Sequence, residues 1–420
     1  MSQKHMVRIL KSTLPVIMVV VGIGRPLKPL ENSLVPDPGE KGPCAVEELS
    51  FEFQGIETAY FAPMEGSCNY WIQSPYPGLV FAHGFSMMGL TDSVADMVGH
   101  GEHLASWGYW VAIPALPDDS ETRIENLRTV LDQLLVESNQ ASSPLFQKID
   151  PGRIAVSGYS LGGTTGLAAA ARDNRFKTAV SLDPVYHEGG FEGEGAPIWN
   201  PEVDGKNIKI PTGILGSPPN SCNANADYAD IYEYVEAAHK AAYLVVGASH
   251  CDFLAPGNSF CPIFCPGTTD SSRTETSQKF ITAWLNYYLL LKSEYYSYLF
   301  GNDLQQDISQ SLIQAEIATG VRNFLGIGVG NHMFLSWEIY ENPILDGYNI
   351  YRKETGGVYP VQPYASLGMI GGYMDPAVIP GQEYSYKICS YDLDGNQHSC
   401  LAEITVLAGE GKAAYLPFIK

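Results

Sequence analysis

The sequence predicts an α/β protein: a doubly wound, mostly parallel sheet followed by a small all-β module. Three observations carry that prediction. From Phe51 to Leu291 short apolar, β-branched runs alternate with stretches of helical periodicity, the pattern of strands joined by crossover helices. Within that region the run Arg153 to Ser157 breaks into Gly158-Tyr159-Ser160-Leu161-Gly162-Gly163 and passes at once into a small-residue helical pattern: strand, sharp turn, helix. Beyond Gly330 the helical periodicity is gone, and aromatic or aliphatic residues alternate with polar ones, which is strand patterning.

Composition bounds the answer. With 420 residues, 45% of them hydrophobic and 17% charged, the chain buries a large core and holds more than one domain. A formal net charge of −21 argues against nucleic acid and anionic membrane surfaces as partners, since polyanions are repelled before contact. Acidity of this kind keeps an exported protein soluble.

The elements follow in order. Lys4, Arg8 and Lys11 precede the apolar run Leu14 to Ile23, too short to span a bilayer and suited to a secretory signal peptide over residues 1–24. Residues 25–45 read as a linker, rich in proline and charge from Leu27 to Lys41. In the α/β domain expected over 46–300, Gly78 to Ala82 is a buried strand, Val94 to Ser106 a helix and Tyr109 to Ile113 the next strand. Thr122 to Glu137 is an amphipathic helix with Ile124, Leu127, Leu131, Leu134 and Leu135 on one face. After the turn at Ser160 come strands at Thr178 to Leu182, Thr212 to Leu215 and Ala242 to Val246, His239 falling in a helix before the last. A final helix, Thr276 to Leu291, buries Phe280, Ile281, Trp284 and Leu285.

Asn302 to Thr319 reads as a polar helix within a connector, 301–329. Strands at Phe334 to Trp337, Gly347 to Arg352, Gln382 to Tyr391 and Glu403 to Leu407 build a β-sandwich over 330–410, leaving 411–420 as an apolar tail. Asp392, Asp394, Asn396 and Glu403 match ligand offsets of a calcium loop, but the required glycine and flanking helices are missing, so a hairpin turn is expected.

Eight cysteines in an exported chain read as disulfides. Cys389 and Cys400 flank that turn and are expected to pair; Cys44 with Cys68 is the next expectation, and Cys222, Cys251, Cys261 and Cys265 stay open. Zinc is the alternative, without the paired C-x-x-C units it favours.

Glycine-flanked Ser160 matches G-x-S-x-G, the nucleophile elbow of α/β-hydrolases, where Gly158 and Gly162 let strand and helix backbones approach. A serine hydroxyl needs a base for its proton and an acid to orient that base. Of nine histidines only His250 follows a late strand and sits on a loop before the last helix. Asp183 ends the strand Thr178 to Leu182, whereas after Thr212 to Leu215 no acid appears until Asp227 and Asp230. The oxyanion hole is expected from the backbone N–H groups of Leu161 and Phe85, with His83 ordering the latter's loop. Phe85, Met87, Met88, Tyr186 and Trp199 are expected at the pocket edge.

The order His83-Gly84-Phe85, Gly158 to Gly163, Leu182-Asp183-Pro184 and Ser249-His250-Cys251-Asp252 resembles the α/β-hydrolase branch of chlorophyllases, platelet-activating-factor acetylhydrolases and cutinase-like polyester hydrolases, over Phe51 to Leu291. The resemblance implies Ser160 as nucleophile, Asp183 as acid and His250 as base. An acid after the sixth strand is similar to the first two families. The stretch Arg123 to Gly163 is similar to the polyesterases, with Tyr159 where they commonly carry histidine. Trp337, Tyr348-x-x-Tyr351 and Pro380-Gly381-x-x-Tyr384-x-Tyr386 resemble a fibronectin type III module, which implies an Ig-like sandwich.

The expected function is a secreted serine carboxylic-ester hydrolase working through an acyl-enzyme on lipid, long-chain, aromatic or polyester substrates, with no cofactor. The C-terminal module is a candidate for surface or polymer contact. A serine peptidase and a catalytically inactive hydrolase-fold binding protein are the rivals.

Overall fold

The computed structural model describes residues 35–53, 55–85, 93–186, 199–256, 260–319, 321–339, 345–393, 395, 397, 400 and 402–409. The expected signal peptide, the expected tail, Met87 and Met88 lie outside them.

Nine strands form the main sheet: β1 (Val46–Phe53), β2 (Ile56–Pro63), β3 (Tyr76–Ala82), β4 (Trp110–Pro114), β5 (Ile149–Tyr159), β6 (Phe176–Leu182), β7 (Thr212–Gly216), β8 (His239–Val245) and β9 (Ile313–Thr319). Their order is β1-β2-β4-β3-β5-β6-β7-β8-β9. The six strands from β4 to β8 run parallel, and antiparallel pairing with β2 and β9 closes the two sides. Every residue of β3, β4 and β7 is buried, as expected of a sheet covered on both faces. The covering helices pack in pairs: α1 (Val98–Ser106) with the helix Ser271–Tyr288, and α2 (Ser120–Asn139) with α3 (Leu161–Arg172). A further helix, α4 (Asp227–Tyr234), lies against β7 and β8.

Two expectations are corrected. His239 opens β8 instead of lying in a helix. Asn302 to Thr319 is not one helix: the helix stops at Ser309, and Ile313–Thr319 pairs with all of β8. Alternation of Ile313, Ala315 and Ile317 with Gln314 and Glu316 is a strand signal that the stretch's polarity masks.

The C-terminal segment forms two antiparallel sheets. Its strands are β10 (Arg322–Val329), β11 (His332–Glu338), β12 (Leu345–Glu354), β13 (Ala365–Leu367), β14 (Gly372–Asp375), β15 (Glu383–Asp392) and β16 (Ala402–Leu407). The sheets are ordered β10-β11-β14 and β13-β12-β15-β16. Met333, Leu335, Trp337, Tyr348, Ile350, Tyr386 and Ile388 share one core between them. Strands β15 and β16 pair antiparallel; Asp394 and Asn396 of the expected turn lie outside the described residues.

Both expected disulfides are present, Cys44–Cys68 and Cys389–Cys400, and the open four pair as Cys222–Cys265 and Cys251–Cys261. Among the described residues no helix is long and apolar enough to cross a membrane.

Candidate active site

Ser160 stands between the last residue of β5 and the first of α3, with φ 56° and ψ −125°. A residue with a Cβ adopts that conformation only under constraint from its surroundings. The constraint is visible: Ser160 N–H donates to Leu182 O at 2.9 Å, and Ser160 O accepts from Gly163 N–H at 2.9 Å. A Cβ on Gly158 would collide with the carbonyl of Gly162, and one on Gly162 with that of Ala82, so both positions admit only glycine.

His250 meets Ser160 from the loop after β8. Its Nε2 lies 3.0 Å from Ser160 Oγ, and its Nδ1 lies 2.6 Å from Asp183 Oδ2. A carboxylate only accepts, so Nδ1 carries the hydrogen and the Nε2 lone pair faces the serine hydroxyl. His250 opens a short 3-10 turn capped by Ser249 and Asp252. Asp252 also accepts from Arg273 Nη1 at 3.2 Å and from Asp270 N–H at 2.7 Å, which fixes the turn.

Asp183 is fully buried directly after β6 and takes four donors. Ser217 N–H and Asn223 Nδ2 donate to Oδ1 at 2.9 and 3.2 Å; Ser217 Oγ and His250 Nδ1 reach Oδ2 at 2.9 and 2.6 Å. Neither Ser217 nor Asn223 stands out in the sequence. The only signal was their place after β7, whose carboxyl end lies beside that of β6 through the register Leu182↔Leu215.

The loop after β3 approaches the serine, a Cβ on Gly84 falling 3.3 Å from Ser160 Cβ. His83 orders it as expected: Nε2 accepts from Leu116 N–H at 2.8 Å, leaving Nδ1–H for Gly84 O at 2.7 Å. Sequence reasoning missed Arg123, which is fully buried and donates to the carbonyls of His83, Gly84 and Pro117 and to Thr165 Oγ1. Burial pushes its guanidinium down to about 10, with Asp118 opposing, so it stays cationic near neutral pH. The available signal was a charge on the apolar stripe Leu127, Val130 and Leu134 of α2.

The expected oxyanion donors Phe85 and Leu161 are half-buried. Tyr186 is half-buried and tied to α4, its N–H donating to Asp227 at 2.7 Å and its phenol to Asp230. Trp199 is wholly buried in the main core, so it builds the scaffold instead of presenting a face at the pocket edge. Beside His250, the disulfide-linked segment Phe260 to Cys265 exposes Phe260, Ile263 and Phe264.

A family model described as PET hydrolase-like matches residues 82–316, more than half of the chain. The chain is similar to Cutinase 1 of Thermobifida cellulosilytica, 29% identical over 168 residues, which cover 39% of this chain and 57% of that protein. To Cutinase est2 of Thermobifida alba it is 26% identical over 216 residues, covering 50% and 61%. To Lipase 1 of Moraxella sp. (strain TA144) it is 26% identical over 167 residues, covering 39% and 43%. The matches thus span about half the length of these curated relatives.

Proposed function

The chain belongs to the PET hydrolase-like family, and on that premise we propose that it is an exported carboxylic-ester hydrolase that cleaves an insoluble, apolar polyester through an acyl-enzyme on Ser160. The observation that carries this reading is His250 bridging Asp183 at 2.6 Å and Ser160 at 3.0 Å. In the proposed reaction the Oγ–H proton passes to Nε2 as Oγ adds to the ester carbonyl carbon. Collapse of the adduct breaks the ester C–O bond and returns that proton to the leaving alcohol. Water then gives a proton to Nε2 and attacks the acyl-enzyme, releasing the acid and restoring Ser160. The N–H groups of Leu161 and Phe85 are the proposed donors to the oxyanion; as the first residue of α3, Leu161 has an N–H with no partner within the helix.

The surroundings of His250 favour an apolar, neutral substrate. In a chain of net charge −21, the stretch Leu254 to Thr269 carries no charge at all, and Phe260, Ile263 and Phe264 are exposed on it. The relatives named cutinase and lipase act on esters, as their names say, which supports the same class.

We read the C-terminal segment as an Ig-like module of the fibronectin type III kind. Support comes from its strand order and from Ile379 N–H donating to the Tyr384 phenol at 3.1 Å, a tyrosine at the start of a strand bonded to backbone upstream. The proposed catalytic domain then runs to Thr319, because β9 completes the sheet.

The test is hydrolysis of p-nitrophenyl esters of increasing acyl length, and of a polyester film, by wild type and Ser160→Ala. Release by the wild type and its loss in the variant is the expected result. Equal inertness of both proteins on every ester would instead favour a hydrolase-fold binding protein.

A further inference from the structure

The alternation of β10 and β11 sends Phe324, Met333, Leu335 and Trp337 into the core of the C-terminal segment. The residues between them face the other way, where an antiparallel sheet with one wet side normally carries polar groups. Here that side is mostly apolar. Ile327, Phe334 and Met374 stand directly in register across β10, β11 and β14, one residue from each strand of the sheet. Leu325 lies beside that row, paired with Ser336, and the Phe334 ring stacks on His332 with centroids 6.3 Å apart. Leu325, Ile327 and Met374 are 62%, 43% and 47% exposed. Strand β10 cannot turn them inward by a slip of one residue, because a Cβ on Gly326 would fall 2.7 Å from Val406 Cγ2 and one on Gly328 would run into the Leu407 carbonyl.

Charge says what such a face suits. In a chain of net charge −21, Asn323 to Trp337 and Thr355 to Met374 contain no Asp, Glu, Lys or Arg. Isolated exposed apolar residues are common, but a row in register on an uncharged face is a patch. A second copy of the chain or an anionic lipid surface brings like charge and is repelled, whereas a neutral surface is not. We propose that the outer face of β10-β11-β14 is a docking surface for a neutral, apolar solid polymer, the insoluble polyester of the function proposed above, on which reading this inference rests. The Tyr296 phenol donates to Gln397 O at 2.7 Å, tying the segment to the helices that follow the proposed catalytic residues. A polymer held by this face therefore stays at high effective concentration for Ser160.

Adsorption of the full chain to a polyester film tests it, read as protein depleted from solution, with Ser160→Ala as the parent so that turnover does not alter the film. Adding Leu325→Thr/Ile327→Thr/Met374→Thr is expected to raise the concentration for half-coverage about fivefold or more. Threonine keeps the strand propensity, so melting by circular dichroism is expected to match the parent. Should the triple variant fail to fold, Leu325→Gln and Met374→Gln are each expected to raise that concentration about twofold. With Ser160 intact, the triple variant is expected to release product from the film about threefold more slowly while p-nitrophenyl butyrate turnover stays near wild type. Folded variants that adsorb like their parent overturn the docking face, and wild-type esterase activity then leaves the proposed function standing. A wild type that sediments as a dimer beside a monomeric triple variant gives the face to a second copy and overturns the proposal as well. Variant-dependent adsorption by a chain inert on every ester supports the docking face and overturns the esterase reading.

Discussion

The Tyr159 phenol donates to the main-chain carbonyl of His250 at 3.1 Å, and the two rings lie 4.8 Å apart. The residue before the proposed nucleophile thus steadies the proposed base through both backbone and ring. Tyr159→Phe keeps the ring and removes the hydrogen bond, so kcat is expected to fall about fivefold, near 1 kcal/mol. KM is expected to hold. Stopped assays on a soluble ester check this, and an unchanged kcat would show the bond to be idle.

Arg123 holds the carbonyl oxygens of the loop that carries Phe85. Lysine offers a point charge in place of a fork and cannot meet the same acceptors. Arg123→Lys is therefore expected to reduce kcat roughly 10- to 100-fold, the scale of a displaced oxyanion donor. Steady-state kinetics on p-nitrophenyl butyrate read it out. Wild-type kcat with a lowered melting temperature would confine Arg123 to scaffolding.

Two buried histidines are expected to make the fold acid-labile. Burial pushes His100 down to about 4 and, together with the neighbouring charge of His100, pushes His103 down to about 4 as well. His100 Nε2 bonds Phe253 O at 2.9 Å, and His103 Nε2 lies 3.0 Å from Pro38 O. Both pKa values are lower folded than unfolded, so between about 6.5 and 4 the unfolded chain binds more protons. Stability is full above pH 6.5 and is lost as pH falls toward 4, by up to about 3 kcal/mol per histidine. His103→Gln is expected to flatten the melting-temperature slope in that window by about half. An unchanged slope would move the acid lability to other groups.

Exposed Phe260, Ile263 and Phe264 sit on a segment held by disulfides, one of them to Cys251 next to His250. Replacing all three by serine is expected to cut product release from a polyester film at least threefold while leaving soluble p-nitrophenyl butyrate turnover near wild type. Equal effects on both substrates would mean that these side chains support the fold and not contact with a surface. Individually exposed apolar residues are common, so the contrast between substrates carries the test.

What could be read in the chain divides by range. Ser160, with its glycines, is a local motif, and the turn is built as the motif predicts. Asp183 and His250 follow from the order of strand ends, and the structure joins Asp183 to His250 and His250 to Ser160. Ser217, Asn223 and Arg123 act through partners 34, 40 and 40 residues away, a relation that periodicity does not encode. The strand Ile313–Thr319 was hidden for a different reason: at a sheet edge one face stays wet, and its polar residues read as a solvated helix.

Two crosslinks run in series around the site. Cys222, beside the donors to Asp183, is bonded to Cys265; four residues earlier Cys261 is bonded to Cys251, the neighbour of His250. The loops that carry Asp183's donors and His250 are therefore stitched into one ring, closed on one side by sulfur and on the other by the His250–Asp183 hydrogen bond. For the proposed enzyme, a chain whose thiols stay reduced lacks the stitching between acid and base, so full turnover is expected only after oxidation.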